Sequence, residues 1–254
     1  MIADEFKNQV AIITGAGQGI GFEIAKQLCI NGAFVLLNDI DETLAKKAAN
    51  KIAVSGNCFA IAGDAADPLF IQQMVDEAVK HFGKLNIAIA NAGITLFGDF
   101  FNYKPEALQS VMNLNIGGSF LLTQAAANQI KKQNSGGSIL LMSSVTGHQA
   151  HKNLAAYGIT KAALEMLAKT LVVELSPFNI SINTIAPGAT ITERTTEDED
   201  YLKTWSRITP MGKPATVEDI ANAALFMIAP SSKHITGQSL IIDGGWTSVS
   251  PSPY

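Results

Sequence analysis

Thr14-Gly15-Ala16-Gly17-Gln18-Gly19-Ile20-Gly21 is the stretch whose reading decides the fold. It follows a short apolar run, residues 10–13, that reads as a buried strand, and it opens a helical pattern over about 19–29. A glycine-rich turn between a strand and a helix lets backbone approach a phosphate group closely. The helix N-terminus adds amide donors and positive potential. The spacing is G-x-x-x-G-x-G through Gly15, Gly19 and Gly21, not the commoner G-x-G-x-x-G. Taken alone, these glycines serve equally well as a tight turn. About 25 residues further on, Asp39 ends the next strand pattern, 34–38. A carboxylate there can accept both ribose hydroxyls of a dinucleotide, and it repels a 2′-phosphate. No Arg or Lys lies within the turn or directly after Asp39 to hold such a phosphate. The turn therefore reads as a site for NAD, with NADP the less fitting cofactor.

Outward from the turn, short β-branched runs alternate with longer helical patterns. Helices are expected over 42–54, 68–82, 105–132, 155–174 and 217–229, and strands over 58–62, 87–90, 138–143, 181–186 and 240–242. Pro68 opens one helix and Gly83 follows its end. Thr216 with Asp219 forms a capping-box variant before the last helix. Several strands are apolar along most of their length, which argues for burial on both faces. Regular alternation of this kind predicts an α/β fold: a Rossmann-like, doubly wound parallel sheet of about seven strands with helices on both faces. The longest stretch without clear periodicity, 188–215, reads as a functional loop that closes over substrate and excludes water. Its acidic run Glu197-Asp198-Glu199-Asp200 reads as a solvated helix start or loop face.

Composition sets the outer limits. At 254 residues, 47% hydrophobic and 16% charged, the chain suits one domain, 1–254, with a large core. A net charge of -4 gives no footprint for nucleic acid, and no basic run points to a membrane surface. No apolar run approaches the roughly 18 residues of a membrane span. Cys29 and Cys58 lack metal or redox spacing and read as small buried apolar residues. The first residues do not form a secretory signal, so the expected home is the reducing cytoplasm. The histidines His81, His148, His151 and His234 form no ligand spacing, and no metal is expected.

Tyr157 and Lys161 are four apart, hence adjacent on one helix face. An ammonium beside a phenol favours the phenolate, and such a phenol can act as general acid or base on a carbinol oxygen. Ser144 stands at the carboxyl end of the preceding strand, where open parallel sheets bind ligands. Its hydroxyl there can hold a substrate oxygen near the phenol.

Thr14 to Gly21, Asn91-Ala92-Gly93, Asn115, Ser144, Tyr157-x-x-x-Lys161, Pro187-Gly188 and Asp243-Gly244-Gly245 together resemble the short-chain dehydrogenase/reductase family over essentially the whole chain. The resemblance implies an enzyme acting on CH–OH groups. Tyrosinate would take the alcohol proton while a hydride passes to the nicotinamide, and reduction runs the same path backwards. It also implies that Asn115 keeps a water in a proton relay through Lys161, and that Lys161 bonds the nicotinamide ribose. Asp64, with Ala65 after it, would lie beside the adenine. Asn91, Ala92 and Gly93 would line the cofactor cleft, and Thr190 and Thr192 would contact the carboxamide. Ala90 stands where the family often has another asparagine. A homotetramer is implied too, built from the helix near Ala155 and the last strand. Leu164, Leu167 and Leu171 offer apolar faces for it, but they suit the core equally.

In this family the segments after Ser144 and Pro187-Gly188, and sometimes the C-terminus, select the substrate. Here they hold His148, His151 and Asn153; Glu193, Arg194 and Trp205; and Trp246. Their polarity points to a sugar, sugar acid or polyol, with Ser144, His151 and Trp205 at the substrate. Two other readings stand beside this. One is a 3-oxoacyl thioester reductase, against which Gln18 and Asp39 argue. The other is a dinucleotide-sensing protein without catalysis, which would typically lose the tyrosine or lysine.

Overall fold

The computed structural model describes residues 5–52 and 57–249. Seven parallel strands form one sheet: β1 (Val10–Ile13), β2 (Phe34–Asp39), β3 (Cys58–Ala62), β4 (Ile87–Ala90), β5 (Gly137–Met142), β6 (Ile180–Pro187) and β7 (Ser239–Ile242). Their order is β3-β2-β1-β4-β5-β6-β7. The chain thus winds one way from β1 to β3 and the other way from β4 onward. The switch point lies between the carboxyl ends of β1 and β4, where doubly wound sheets open a crevice.

The helices are α1 (Gly19–Ile30), α2 (Glu42–Ile52), α3 (Pro68–Phe82), α4 (Pro105–Met112), α5 (Ser119–Gln133), α6 (Ala155–Leu175), α7 (Tyr201–Ile208) and α8 (Val217–Ile228). Both faces of the sheet are covered. Ile13, Val35 and Leu37 pack with Ile24 and Leu28 of α1 and Ile220 of α8 on one side. Val10, Ile12 and Leu36 pack with Ile71 and Met74 of α3, Leu122 of α5 and Leu164 of α6 on the other. This double burial is why β1 and β4 are apolar throughout rather than alternating, and why β5 and β6 are buried along their whole length.

The helix ends follow local chemistry. Asp67 accepts from Leu69 N at 2.9 Å, Pro68 occupies the first turn, and Gly83 closes α3 in the left-handed region at φ 81°. Thr216 and Asp219 form the reciprocal capping box of α8. Residues 53–54 of the expected second helix lie outside the described residues.

Two expectations are corrected and one open alternative is resolved. The helical stretch 105–132 is not continuous: a π-turn, Asn113–Gly118, separates α4 from α5. The loop 188–215 carries its own structure, a short 3-10 turn (Thr195–Glu197) and α7. Leu164, Leu167 and Leu171 belong to the core side of α6, since Leu164 is buried and the other two pack against the core. The outward stripe of α6 is instead Ile159, Met166 and Val173, each more than half exposed. The acidic residues 197–200 are all exposed and lead into α7. Cys29 is buried, whereas Cys58 is half-buried.

Candidate active site

The glycine turn is moulded by neighbours that leave no space for side chains. Gly15 has φ 61°, and a Cβ there would lie 2.8 Å from Ala92 Cα. A Cβ on Gly21 would lie 2.5 Å from Asn91 Nδ2 and 2.6 Å from Gly15 O. Asn91 holds this approach by donating from Nδ2 to Thr14 O (2.9 Å) and Gly15 O (2.8 Å). Thr14 Oγ1 in turn accepts from the backbone of Asn91 and Ala92. The ends of β1 and β4 are thereby tied together at the switch point.

Asp39 closes the far side. Its Oδ2 accepts from Gly17 N at 3.0 Å and its Oδ1 from Asp41 N at 3.1 Å. Asn38 before it is buried and donates to Ile61 O and Gly63 O, joining the ends of β2 and β3. Sequence reading missed Asn38; the signal was a polar residue inside an otherwise apolar strand.

A cleft of about 410 Å³ runs along these strand ends. It is lined by Gly15, Gln18, Gly19, Ile20 and Gly21, by Asp39, Asp64 and Ala65, by Asn91, Ala92 and Gly93, and by Tyr157, Lys161 and Thr192. Gly19 is less crowded: a Cβ there would meet Thr192 Cγ2 at 3.7 Å, an ordinary contact, though its φ of 62° lies in the left-handed region that favours glycine. A cradle in which Cβ atoms would clash, an open helix N-terminus and a carboxylate at the end of the second strand fit a dinucleotide. Glu193 and Arg194 also line the cleft, as do Ile94 and Met142, which sequence reading did not single out.

Lys161 is buried and donates from Nζ to Met142 O at 2.7 Å. Its Nζ stands 5.3 Å from the centre of the Tyr157 ring. Asn115 sits in the π-turn, fully buried. It accepts from Ile94 N (2.9 Å) and donates to Ile94 O (3.0 Å) and Thr160 Oγ1 (3.1 Å). A Cβ on Gly93 would lie 3.2 Å from Asn115 Oδ1 and 3.4 Å from Lys161 Nζ. Asn115, Gly93 and Lys161 are therefore immediate neighbours. π-turns occur often at functional sites, and this one places a buried asparagine directly behind Gly93 and Lys161 of the cleft.

The remaining candidates lie outside the lining of the cleft. Ser144 caps a one-turn 3-10 helix, Val145–Gly147, by accepting from Thr146 N at 3.3 Å. Pro187 ends β6, and Gly188 packs on Asp243, where a Cβ would lie 2.6 Å from Asp243 Cβ. Thr190 donates from Oγ1 to Gly188 O. Its backbone is bridged by the Tyr201 hydroxyl, which accepts from Thr190 N (3.0 Å) and donates to Thr190 O (3.2 Å). Burial pushes the Tyr201 phenol up. Sequence reading gave Tyr201 no role, because its partner is backbone.

Trp205, Trp246 and His151 form a second cluster. Trp205 meets Trp246 edge-on at 5.0 Å, and His151 lies 5.0 Å from Trp246. Three separate segments meet here: α7, the turn after Gly245 and the loop after Ser144. Asp243 holds the Trp246 turn by accepting from Gly245 N, Thr247 N and Thr247 Oγ1. Partial burial pushes the Asp243 carboxyl up, but these hydrogen bonds outweigh it and leave the group below its ordinary value. His151 Nε2 is buried with no hydrogen-bond partner among the described residues, and burial holds its pKa below the ordinary value. Among the described residues, no three His, Cys, Asp or Glu side chains gather as a metal site.

Comparison with known proteins gives the family. Residues 15–247 match a family model described as enoyl-(acyl carrier protein) reductase. A 3alpha-hydroxysteroid dehydrogenase of Mediterraneibacter gnavus is 35% identical, over 94% of this chain and 96% of that protein. An L-rhamnose-1-dehydrogenase of Scheffersomyces stipitis is 34% identical, over 93% of this chain and 95% of that protein. A solved gluconate 5-dehydrogenase from Burkholderia cenocepacia, in complex with NADP and tartrate, superposes with a TM-score of 0.90 at 29% identity. That likeness covers 98% of this chain and all of the solved one. The chain belongs to the short-chain dehydrogenase/reductase family, the type of about 250 residues. It is thus an oxidoreductase of the alcohol-dehydrogenase kind, of a family that binds NAD or NADP and acts on small molecules. Among the described residues, no helix is long and apolar enough to cross a membrane.

Proposed function

We propose that this chain is an NAD-dependent dehydrogenase that interconverts a secondary alcohol and a ketone, or a sugar and its lactone, on a sugar, sugar acid or polyol. The observation that carries this reading is Asp39, whose carboxylate lines the same cleft as Tyr157 and Lys161. Two further carboxylates, Asp64 and Glu193, line it as well. A 2′-phosphate would add negative charge to this wall, whereas ribose hydroxyls would donate to it. The sugar preference rests on His151 between the loops, on the Trp205–Trp246 pair, and on the rhamnose and gluconate enzymes among the relatives.

The bound nicotinamide supplies the hydride acceptor or donor. All other work falls to side chains. Tyr157 exchanges a proton with the carbinol oxygen, and the Lys161 ammonium stands beside its ring. The Ser144 hydroxyl orients the same oxygen. Asn115 keeps a water for a relay that passes through Lys161. Gln18, Ile20 and Ala65 shape the cofactor cleft, and Thr192 lines it toward the carboxamide; Pro187, Gly188 and Thr190, outside its lining, would meet the cofactor's nicotinamide end. The protein supplies positioning and electrostatics.

We further infer a homotetramer in the cytoplasm. The α6 stripe Ile159, Met166 and Val173, and Leu240 and Ile241 on the edge strand β7, are the exposed apolar faces that would meet. A second reading, a 3-oxoacyl thioester reductase, draws support from a structurally similar 3-ketoacyl-(acyl-carrier-protein) reductase of Brucella melitensis, 30% identical with a TM-score of 0.90. Absorbance of reduced nicotinamide, with NAD or NADP against sugars, polyols, hydroxysteroids and a 3-oxoacyl thioester, decides between them. Turnover of a sugar or polyol with NAD supports the proposal. Turnover of the thioester alone with NADPH replaces it.

A further inference from the structure

Glu165 stands one turn beyond Lys161 on α6, so Tyr157, Lys161 and Glu165 follow one another along a single face. Its side chain is nearly closed to solvent, with 12% exposed. One oxygen, Oε1, receives two partners at 2.7 Å: Ser143 Oγ and His148 Nε2. Ser143 directly precedes Ser144, and its hydroxyl also lies 3.0 Å from the Lys161 carbonyl. His148 is the residue that closes the 3-10 turn begun by Ser144. Its Nε2 lies 3.4 Å from Ser239 Oγ on β7. Between these two grips the turn rests directly on the helix. A Cβ on Gly147 would lie 3.0 Å from Ala162 N, 3.1 Å from Lys161 C and 3.2 Å from Glu165 Oε1.

A carboxylate oxygen therefore holds both ends of the short segment 143–148 that contains Ser144, and it does so from the helix that carries Tyr157 and Lys161. Mere adhesion at position 165 would be served as well by an apolar side chain, which avoids the cost of burying charge. A hydrogen bond from Ser143 at one end and a close polar contact with the His148 ring at the other fix where the segment sits, which an apolar contact does not.

We propose that Glu165 is a positioning residue for the reaction: through Ser143 and His148 it sets the place of the Ser144 hydroxyl relative to Tyr157 and Lys161. Glu165 touches neither substrate nor cofactor. The inference rests on the reading of Ser144, Tyr157 and Lys161 as the reacting set.

The test uses the full chain, turning over whichever alcohol the assay above identifies, with cofactor affinity measured separately. Glu165→Ala is expected to lower kcat by about 10- to 100-fold, the scale of misplacing reacting groups by on the order of 1 Å. Its dissociation constant for the cofactor stays at the parent value, because the glycine turn and Asp39 are untouched. Glu165→Gln, which keeps an acceptor oxygen for Ser143, regains most of that loss. His148→Ala frees only the far end and gives a smaller fall in kcat; it carries the test if Glu165→Ala does not fold. Parental kcat in the folded Glu165→Ala or His148→Ala chain overturns the proposal. A Gln variant as impaired as Ala, or a loss of cofactor affinity equal to the loss of kcat, overturns it as well. Tyr157→Phe separates the two levels. If that variant still turns over, the reading of the reacting set has failed; if it is inactive while Glu165→Ala matches the parent, only the positioning role has failed.

Discussion

At the scale of the residue, charge sets cofactor choice. Asp39 is held by two backbone amides rather than by a cation, so its negative charge faces the cleft uncompensated by a salt bridge. Asp39→Ala should lower the ratio of kcat/KM for NAD over NADP by about tenfold or more, tenfold being about 1.4 kcal/mol. The ratio from initial rates checks this, and an unchanged ratio removes Asp39 from cofactor choice. His151 gives a second prediction. Burial lowers its pKa from an ordinary value of 6.5. As pH falls, the unfolded chain takes up this proton before the folded one does. The contribution is therefore complete above 6.5 and is lost as pH drops from there toward the lower folded value. Thermal unfolding between about pH 7.5 and 5.5 should show a falling Tm, and His151→Phe should reduce the slope. An identical slope in the variant would locate the effect elsewhere. Much at this scale was legible in the sequence. Tyr157 and Lys161 share a helical face by spacing alone, and Asp39 follows from its distance to the turn. Glu165 was not legible, because its partners Ser143 and His148 are brought to it by the packing of the 3-10 turn on α6. Tyr201 was hidden too, since it serves backbone atoms that carry no sequence signal.

At the scale of the element, the strands and most helices follow from pattern and caps. The exceptions share one cause: a local backbone change that leaves hydrophobic periodicity intact or too short to see. The π-turn at Asn113–Gly118 interrupts a run that reads as one helix. Its last residue packs closely on the chain after β3, since a Cβ on Gly118 would clash with Ala65 O. The eight-residue α7 is hidden by its acidic approach and by its lack of a side-chain cap. Where a cap is present, it should be measurable. Thr216→Ala removes the hydroxyl half of the α8 capping box, leaving the Thr216 N–H to Asp219 bond, and should cost about 1 kcal/mol, a Tm decrease of roughly 2–4 °C for a domain of this size. A Tm equal to the parent's would mean that α8 is held by packing alone.

At the scale of the whole molecule, strand order places chemistry. Because the order reverses between β1 and β4, the glycine turn, Asp39 and Asn91 arrive at one crevice from distant parts of the chain. The alternation of apolar strands with helical patterns made this topology readable in advance. Assembly was less readable, because one apolar pattern on α6 serves both core and exterior. The structure separates them, with Leu164 inward and Ile159, Met166 and Val173 outward. If the proposed tetramer uses this stripe, the double substitution Met166→Glu with Val173→Glu should yield a smaller species in sedimentation. Unchanged sedimentation would move the interface off α6.

The most direct test of the account is Tyr157→Phe, followed by the absorbance of reduced nicotinamide with cofactor affinity measured alongside. The account predicts that turnover falls by at least about 100-fold, as for loss of a general acid–base group, while NAD binds as before. Turnover that survives the substitution would contradict it. So would a parent chain that binds NAD and oxidises no alcohol, which would mark a dinucleotide-sensing protein instead.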